Sequence, residues 1–248
     1  MEPTSTADSV GGVAGREEVS STVRFGDGLA PLHRRVDAGS FENVYVVGDV
    51  HGCIDELRDL LDVLDPGAED LVVFVGDLVR KGPDSEAVLD LVVDAPNMVS
   101  VRGNNEQKFL DGEKPAARLG GDLDPLASMP AAVSVGDALV VHAGVDPRRP
   151  FDDHSLDDLL ETRAIPPENG YDGPFWFELH EGPPRVFFGH TVLSSPVDRD
   201  WAVGLDTGCV YGGDLTAYDC RAREFVSVPA RETYKYRDDD SIVDPPGR

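Results

Sequence analysis

The residues with the most chemical potential fall at the ends of short apolar runs. Val44-Tyr45-Val46-Val47 leads into Gly48-Asp49-Val50-His51-Gly52, and Leu71-Val72-Val73-Phe74-Val75 leads into Gly76-Asp77. Met98-Val99-Ser100-Val101 precedes Gly103-Asn104, Ala138-Leu139-Val140-Val141 precedes His142, and Val186-Phe187-Phe188 precedes Gly189-His190. A single Asp after a strand is ordinarily a turn or helix-cap residue, and a single His is more often a satisfied core residue than a ligand. The same pattern at five strand ends is much harder to explain by capping. Asp49 and His51 flank one residue, so in an extended segment their side chains share a face. Asp77 can bridge two ions with its two carboxylate oxygens, Asn104 offers an amide oxygen, and His142 and His190 offer imidazole nitrogens. Oxygen and nitrogen donors without thiolate suit two divalent ions, Mn first and Fe or Zn as alternatives. Two such ions about 3.5–4 Å apart clamp a phosphoryl group and activate water near neutral pH. The chemistry this points to is hydrolysis of a phosphate ester or anhydride.

Elements must hold those residues in place. The runs are short and rich in β-branched residues, as buried strands are. Between them, residues 53–64 place Ile54, Leu57, Leu60, Leu61 and Leu64 on one helical face, and residues 84–93 carry Val88, Leu89 and Val92. Alternation of strand and helix predicts an α/β sheet with parallel strands in its first half, and ligands in such sheets bind beyond the carboxyl ends of the strands. Residues 202–205, 215–218 and 225–228 read as antiparallel strands of a second sheet packed beside the first. Residues 112–130 read as helix or loop. Residues 1–40 read largely as a disordered N-terminal tail and 231–248 as a flexible C-terminal tail without a core role.

In order, Gly48-Asp49-Val50-His51-Gly52, Gly76-Asp77-Leu78-Val79-Arg80-Lys81-Gly82, Gly103-Asn104-Asn105-Glu106, His142-Ala143-Gly144 and Gly189-His190 resemble the motifs of the calcineurin-like metallophosphoesterases. The phosphoprotein phosphatase branch is nearest, and within it the symmetrical diadenosine tetraphosphate hydrolases. Lys81-Gly82-Pro83-Asp84-Ser85 and Gly204-Leu205-Asp206-Thr207-Gly208-Cys209, followed by Gly213 and Leu215-Thr216, carry that closer likeness. The resemblance implies a four-layer α/β/β/α sandwich with two mixed sheets, with the catalytic domain over residues 41–230. It implies that Asp49, His51 and Asp77 hold one metal and that Asp77, Asn104, His142 and His190 hold the other. Attack by water would then be in line, without a covalent enzyme intermediate. Lys81 stands where the family's protein phosphatases carry a phosphate-binding arginine. A second cation is expected between His142 and His190, for which Arg163 is the candidate; Arg148 and Arg149 read as surface charges. The chain departs from the family at two linked positions. The third motif normally carries histidine where Asn105 stands, and the aspartate that pairs with that histidine is replaced by Arg80. An amide cannot give up a proton at useful pH, so general-acid help to the leaving group is expected to be missing. Arg80 is left to neutralise charge on the departing oxygen.

Composition narrows the partners. The 248 residues hold 22 Lys and Arg against 47 Asp and Glu, a net charge of −25. That argues against nonspecific nucleic-acid binding, which needs a basic surface. The acids are scattered, as in a solvated shell adapted to a high-salt cytoplasm. No membrane span and no secretory signal are expected, and the expected location is the cytoplasm. The expected partner is a phosphorylated small molecule or a phosphoprotein substrate. A binding protein that holds phosphorylated ligands without turnover is the rival reading. Phe151, Tyr171, Phe175, Trp176 and Phe177 read as core before they read as base-stacking platforms. Cys53, Cys209 and Cys220 read as three separate reduced residues. If the acidic shell is adapted to salt, the thermal unfolding midpoint falls as KCl is removed; a midpoint independent of KCl would count against it.

Overall fold

A computed structural model describes residues 23–245. Among the described residues eleven strands form two sheets. They are β1 (His33–Val36), β2 (Val44–Val47), β3 (Leu71–Phe74), β4 (Met98–Ser100), β5 (Ala132–Val135), β6 (Ala138–Val141), β7 (Arg185–Phe188), β8 (Val197–Asp198), β9 (Ala202–Gly204), β10 (Asp214–Asp219) and β11 (Glu224–Pro229). The α-helices are α1 (Ile54–Leu64), α2 (Ser85–Asp94), α3 (Asn104–Leu110), α4 (Asp124–Ser128), α5 (Leu156–Glu161) and α6 (Trp176–Leu179). One sheet runs β11-β10-β2-β3-β4, the other β1-β5-β6-β7-β9-β8. Both are mixed: β2, β3 and β4 are parallel while β10 is antiparallel to β2 and β11, and β6, β7 and β9 are parallel while β5 is antiparallel to β6.

The period of two in the strands sorts their side chains into layers. Val46, Val73, Val99, Val133, Val140, Phe187 and Val203 meet between the sheets. Tyr45, Val47, Val72 and Phe74 point outward onto Leu57 and Leu60 of α1 and Val88 and Val92 of α2. On the far side, Leu139, Val141 and Phe188 pack against Leu159 of α5 and Trp176 and Phe177 of α6. The result is the expected α/β/β/α sandwich. Local signals start and stop its helices. The Asp84 side chain accepts from Ala87 N at 3.0 Å to cap α2, a contact worth about 1 kcal/mol. Asp65, left-handed at φ 45 and followed by Pro66, ends α1.

Several expectations need correction. Residues 23–40 are not a tail: Val23, Phe25 and Leu29 are buried, and β1 pairs in parallel with β5. Residues 1–22 of the expected tail lie outside the described residues. The C-terminal segment is also tied down. Arg231 bonds Asp55 and Asp59, Tyr234 Oη donates to Glu56 at 2.8 Å, and Val243 is buried beside Leu193. The three late strands do not form one sheet. β9 lies parallel to β7, and only the two-residue β8 pairs with it antiparallel. Strand β5 escapes detection because Ala and Ser dilute its apolar run; the Gly136-Asp137 turn that closes the β5–β6 hairpin was the available signal. Cys53 and Cys209 are not separate either, since their sulfurs and a Glu56 oxygen lie within 4.8 Å of one another in the core. Trp176 and Phe177 are core, 0% and 1% exposed. Phe25→Ala is expected to cost about 3 kcal/mol, read by chemical denaturation at fixed KCl; a residue in a loose tail would cost almost nothing.

Candidate metal centre

The centre sits where β2, β3, β4, β6 and β7 end. Side chains from all of these ends converge. His51 Nε2 lies 3.8 Å from Asp49 Oδ2 and 3.6 Å from Asp77 Oδ2. His142 Nε2 lies 3.4 Å from Asp77 Oδ1 and 3.1 Å from His190 Nδ1. Asp49 accepts from the backbone N of His190 at 3.2 Å. Asn104 Oδ1 is reached through Asn105 Nδ2, 3.1 Å away, and the same Nδ2 donates to Asp77 Oδ2. The remaining candidates stand at the rim of this group. Lys81 Nζ donates to His51 Nε2 at 2.6 Å, Arg163 Nη2 is 3.4 Å from His190 Nδ1, and Arg80 Nη1 donates to Asn105 Oδ1. Arg148 and Arg149 pair with Asp146 and Asp158 at the surface instead.

The backbone is bent to achieve this. Among the described residues the non-glycine positive φ values belong to His51, Asp65, Asp77, Arg80, Lys81, His190 and Arg223. Five of these seven are candidates named from the sequence. Such angles are costly for residues with a Cβ and persist only where the surroundings hold them. Glu106, fully buried, supplies much of the hold. Its carboxylate accepts from the backbone N of Asp77 at 2.9 Å, of Val79 at 3.1 Å and of Gly103 at 2.7 Å, joining the β3 and β4 loops. Gly189 is needed because a Cβ there would collide with Asp49 Oδ1.

The donor set fits divalent ions. His142 Nδ1 lies 2.9 Å from Val75 O and His51 Nδ1 3.3 Å from Val79 O. A carbonyl only accepts, so each Nδ1 carries the proton and each Nε2 turns its lone pair into the site. His190 Nε2 is buried without a hydrogen-bond partner, with Glu161 Oε2 3.5 Å away. Burial, then the charge of Lys81, draws His51 down to about 3. Burial, with His142 and Arg163, holds His190 well below its ordinary value. Both imidazoles therefore stay neutral, the form that ligates. Burial, reinforced by Asp206 and Asp77, pushes Asp49 well above the carboxylate range. Burial acts on Asp77 in the same sense, but its neighbours His142 and His51, the ammonium of Lys81 and the hydrogen bond from Asn105 N outweigh it and hold Asp77 below that range. An Asp that resists ionisation beside lone pairs and other carboxylates describes a pocket whose complement is positive charge.

Three neighbours of the site were not singled out from the sequence. Glu106 is the loop clasp. Asp206 is buried at 3% exposure, raised by burial, and accepts from Gly208 N at 3.1 Å. Glu161 accepts from Asn104 Nδ2 at 2.9 Å. Glu106 and Asp206 both lay within quoted motifs; nothing in the local pattern marked Glu161. A cavity of 660 Å³ opens beside the centre, lined in part by Arg80 and Lys81. A larger one, 1080 Å³, lies at the other end of the strands around Val44, Ala138 and Arg185; neither lining includes a candidate metal ligand.

The family model for calcineurin-like phosphoesterases matches residues 42–227. The chain belongs to that family. As a calcineurin-like phosphoesterase it is a metallophosphoesterase, a hydrolase of a family that uses divalent metals. It is 32% identical to the asymmetrical bis(5'-nucleosyl)-tetraphosphatase PrpE of Halalkalibacterium halodurans, over 75% of this chain and 94% of that protein. It is 31% identical to serine/threonine-protein phosphatase 1 of Salmonella typhimurium, over 75% and 95%. A crystal structure assigned as a diadenosine tetraphosphatase superposes with a TM-score of 0.71 at 30% identity, covering 80% of this chain and 97% of that one. The tetraphosphatase relative carries the asymmetrical designation, where the motifs had suggested the symmetrical type. No helix among the described residues is long and apolar enough to cross a membrane. Glu106→Gln is expected to weaken divalent-metal affinity by about 10–100-fold, the usual effect of losing a partner that orients ligands. Calorimetric titration with Mn²⁺ measures it, with circular dichroism confirming the fold.

Proposed function

We propose that this phosphoesterase is a binuclear enzyme that cleaves nucleotide polyphosphates, or other phosphate substrates with good leaving groups, in preference to phosphoserine and phosphothreonine. Asp49, His51 and Asp77 would hold one metal, and Asp77, Asn104, His142 and His190 the other. The oxygen and nitrogen donors favour Mn, with Fe or Zn as alternatives. When bound, the ions supply charge stabilisation and activate water. Lys81 and Arg163, on opposite sides of the cluster, would hold phosphate oxygens and stabilise the charge that develops during transfer. Location in a salt-rich cytoplasm is proposed from the net charge of −25.

The observation that carries the substrate preference is the Arg80–Asn105 pair. Arg80 donates to Asn105 Oδ1, and Asn105 Nδ2 donates to Asp77 and Asn104. Every polar atom of the amide is thus committed to orienting neighbours, and none holds a transferable proton. A guanidinium beside it neutralises charge but releases no proton at useful pH. A leaving phosphate or aryloxide needs little protonation; a serine alkoxide needs it badly. The tetraphosphatase relative is consistent with the anhydride side of this choice, whereas the Salmonella relative keeps protein phosphatase activity as the rival.

With Mn²⁺ present, kcat/KM for an aryl phosphate and for a dinucleoside tetraphosphate is expected to exceed that for a serine phosphopeptide by roughly 10²–10⁴-fold, the usual worth of general acid catalysis. Asn105→His is expected to narrow the gap. Equal turnover of phosphoserine by the wild type would overturn the preference. Binding of all three substrates without turnover under any divalent metal would favour a phosphate-binding protein instead.

A further inference from the structure

The C-terminal segment, beyond the family match that ends at residue 227, brings cations to the rim of the metal centre. It is held rigidly. Arg231 N donates to Glu56 at 2.9 Å and its guanidinium pairs with Asp55 and Asp59. The backbone N of Lys235 donates to Val210 O at 3.0 Å. Arg237 donates to Tyr211 Oη at 3.2 Å and to Tyr171 Oη at 2.5 Å, and lies 4.9 Å over the Tyr211 ring. The phosphate-binding candidates lie over the same rings, Lys81 over Tyr211 at 5.3 Å and Arg163 over Tyr171 at 5.2 Å.

The 660 Å³ cavity beside the centre takes Lys235 and Tyr234 as one wall and Arg80, Lys81 and Arg118 as others. Two carboxylates also line it; Asp84 is occupied in capping α2, and Glu86 is exposed at the edge. The arginines paired with carboxylates among the described residues are Arg58, Arg148, Arg149, Arg163, Arg185 and Arg231. Among the described residues Arg80, Lys81, Lys235 and Arg237 make no such close pair; buried Asp77 and Asp206 act on Lys81, and Asp206 on Arg237, only at longer range. Partial desolvation, and repulsion from Lys81, Arg80 and Arg237, hold the Lys235 ammonium below its ordinary value. Like charges held together in a chain that carries 47 acids against 22 bases have an anion as their natural complement.

Resting on the phosphohydrolase reading above, we propose that Lys235, set by Arg237 against Arg80 and Lys81, forms a subsite for the phosphates that are not being cleaved. The ligand class is a linear chain of three or more phosphates. One phosphate engages the metal centre beside Lys81, and the remainder runs along the cavity past Arg80 to Lys235. A monophosphate is too short to use it.

Titration of inorganic tripolyphosphate and of orthophosphate onto the full chain tests this. Wild type should bind tripolyphosphate more tightly than orthophosphate. Lys235→Glu should weaken tripolyphosphate by about 10-fold or more, the equivalent of one charge-assisted contact, and Lys235→Arg should restore it. Lys235 is exposed, and an unchanged melting temperature in Lys235→Glu would exclude unfolding as the cause. Tripolyphosphate affinity equal to that of orthophosphate, or unaltered in Lys235→Glu, would overturn the subsite even if substrates are hydrolysed. No turnover of any phosphate substrate, with Lys235-dependent tripolyphosphate binding intact, would overturn the hydrolase reading and leave the subsite standing. Comparing the kcat/KM loss of Lys235→Glu on a dinucleoside tetraphosphate and on inorganic tripolyphosphate identifies whether the chain comes from a nucleotide or from free polyphosphate.

Discussion

Three buried carboxylates within one another's field, Asp49, Asp77 and Asp206, set the electrostatic problem that the rest of the molecule answers. Removed from water, such groups repel one another; Asp49 and Asp206 resist ionisation, while His142, His51 and Lys81 favour the ionised form of Asp77. Neutral imidazoles and an amide oxygen add lone pairs and no charge. What makes the arrangement tenable is cationic density: the ammonium of Lys81 and the guanidinium of Arg163 in the protein itself, and divalent ions in the proposed enzyme. The positive φ angles at His51, Asp77 and His190 follow from the same requirement, because the chain must turn sharply to aim its donors at a common point. The paired sheets supply the stiffness that holds those bends, and Glu106 clasps two of the loops.

The candidate centre was readable because its donors follow strands, and strands announce themselves by short β-branched runs. Where that signal was strong, as in β2, β3 and β7, both element and donor were located. Lys81 was named by likeness to a family position, Arg163 as the candidate for a cation between His142 and His190, and Arg80 as a departure from the family; Lys81 lies beside His51, Arg163 beside His190 and Arg80 beside Asn105. Other features depend on contacts distant in sequence. Glu106 binds amides of residues 77 and 79, and Glu161 reaches Asn104; no local period encodes either. Strand β1 is short and carries His33, Arg34 and Arg35, so it has no apolar signature and is defined by its partner β5. The C-terminal segment looked like a tail because its anchors are charged and aromatic side chains binding α1 and Tyr211. Pairing of the late strands failed for a related reason: a strand's own residues say little about which sheet will receive it.

Charge is distributed on two scales. Over the whole molecule the acids dominate, 47 against 22 bases. At the rim of the candidate centre cations gather, Arg163 and Arg237 around Tyr171, Lys81 and Arg237 around Tyr211, and Arg80, Lys81 and Lys235 along one cavity. A field of that shape repels anions at long range and attracts them only near the opening, so screening by salt would ease approach while the short-range contacts persist.

The clamp of residues 231–237 onto α1 and Tyr211 has a consequence for the order of assembly. Every candidate ligand lies between residues 49 and 190, so the polar cluster can gather while the ribosome is still adding the last strands. Lys235 and Arg237 emerge later and dock onto a surface that already exists. The donors of the cluster are therefore synthesised before the wall beside it, and trimming the gene at the family boundary would remove Tyr234 and Lys235 from the cavity that Arg80 and Lys81 line.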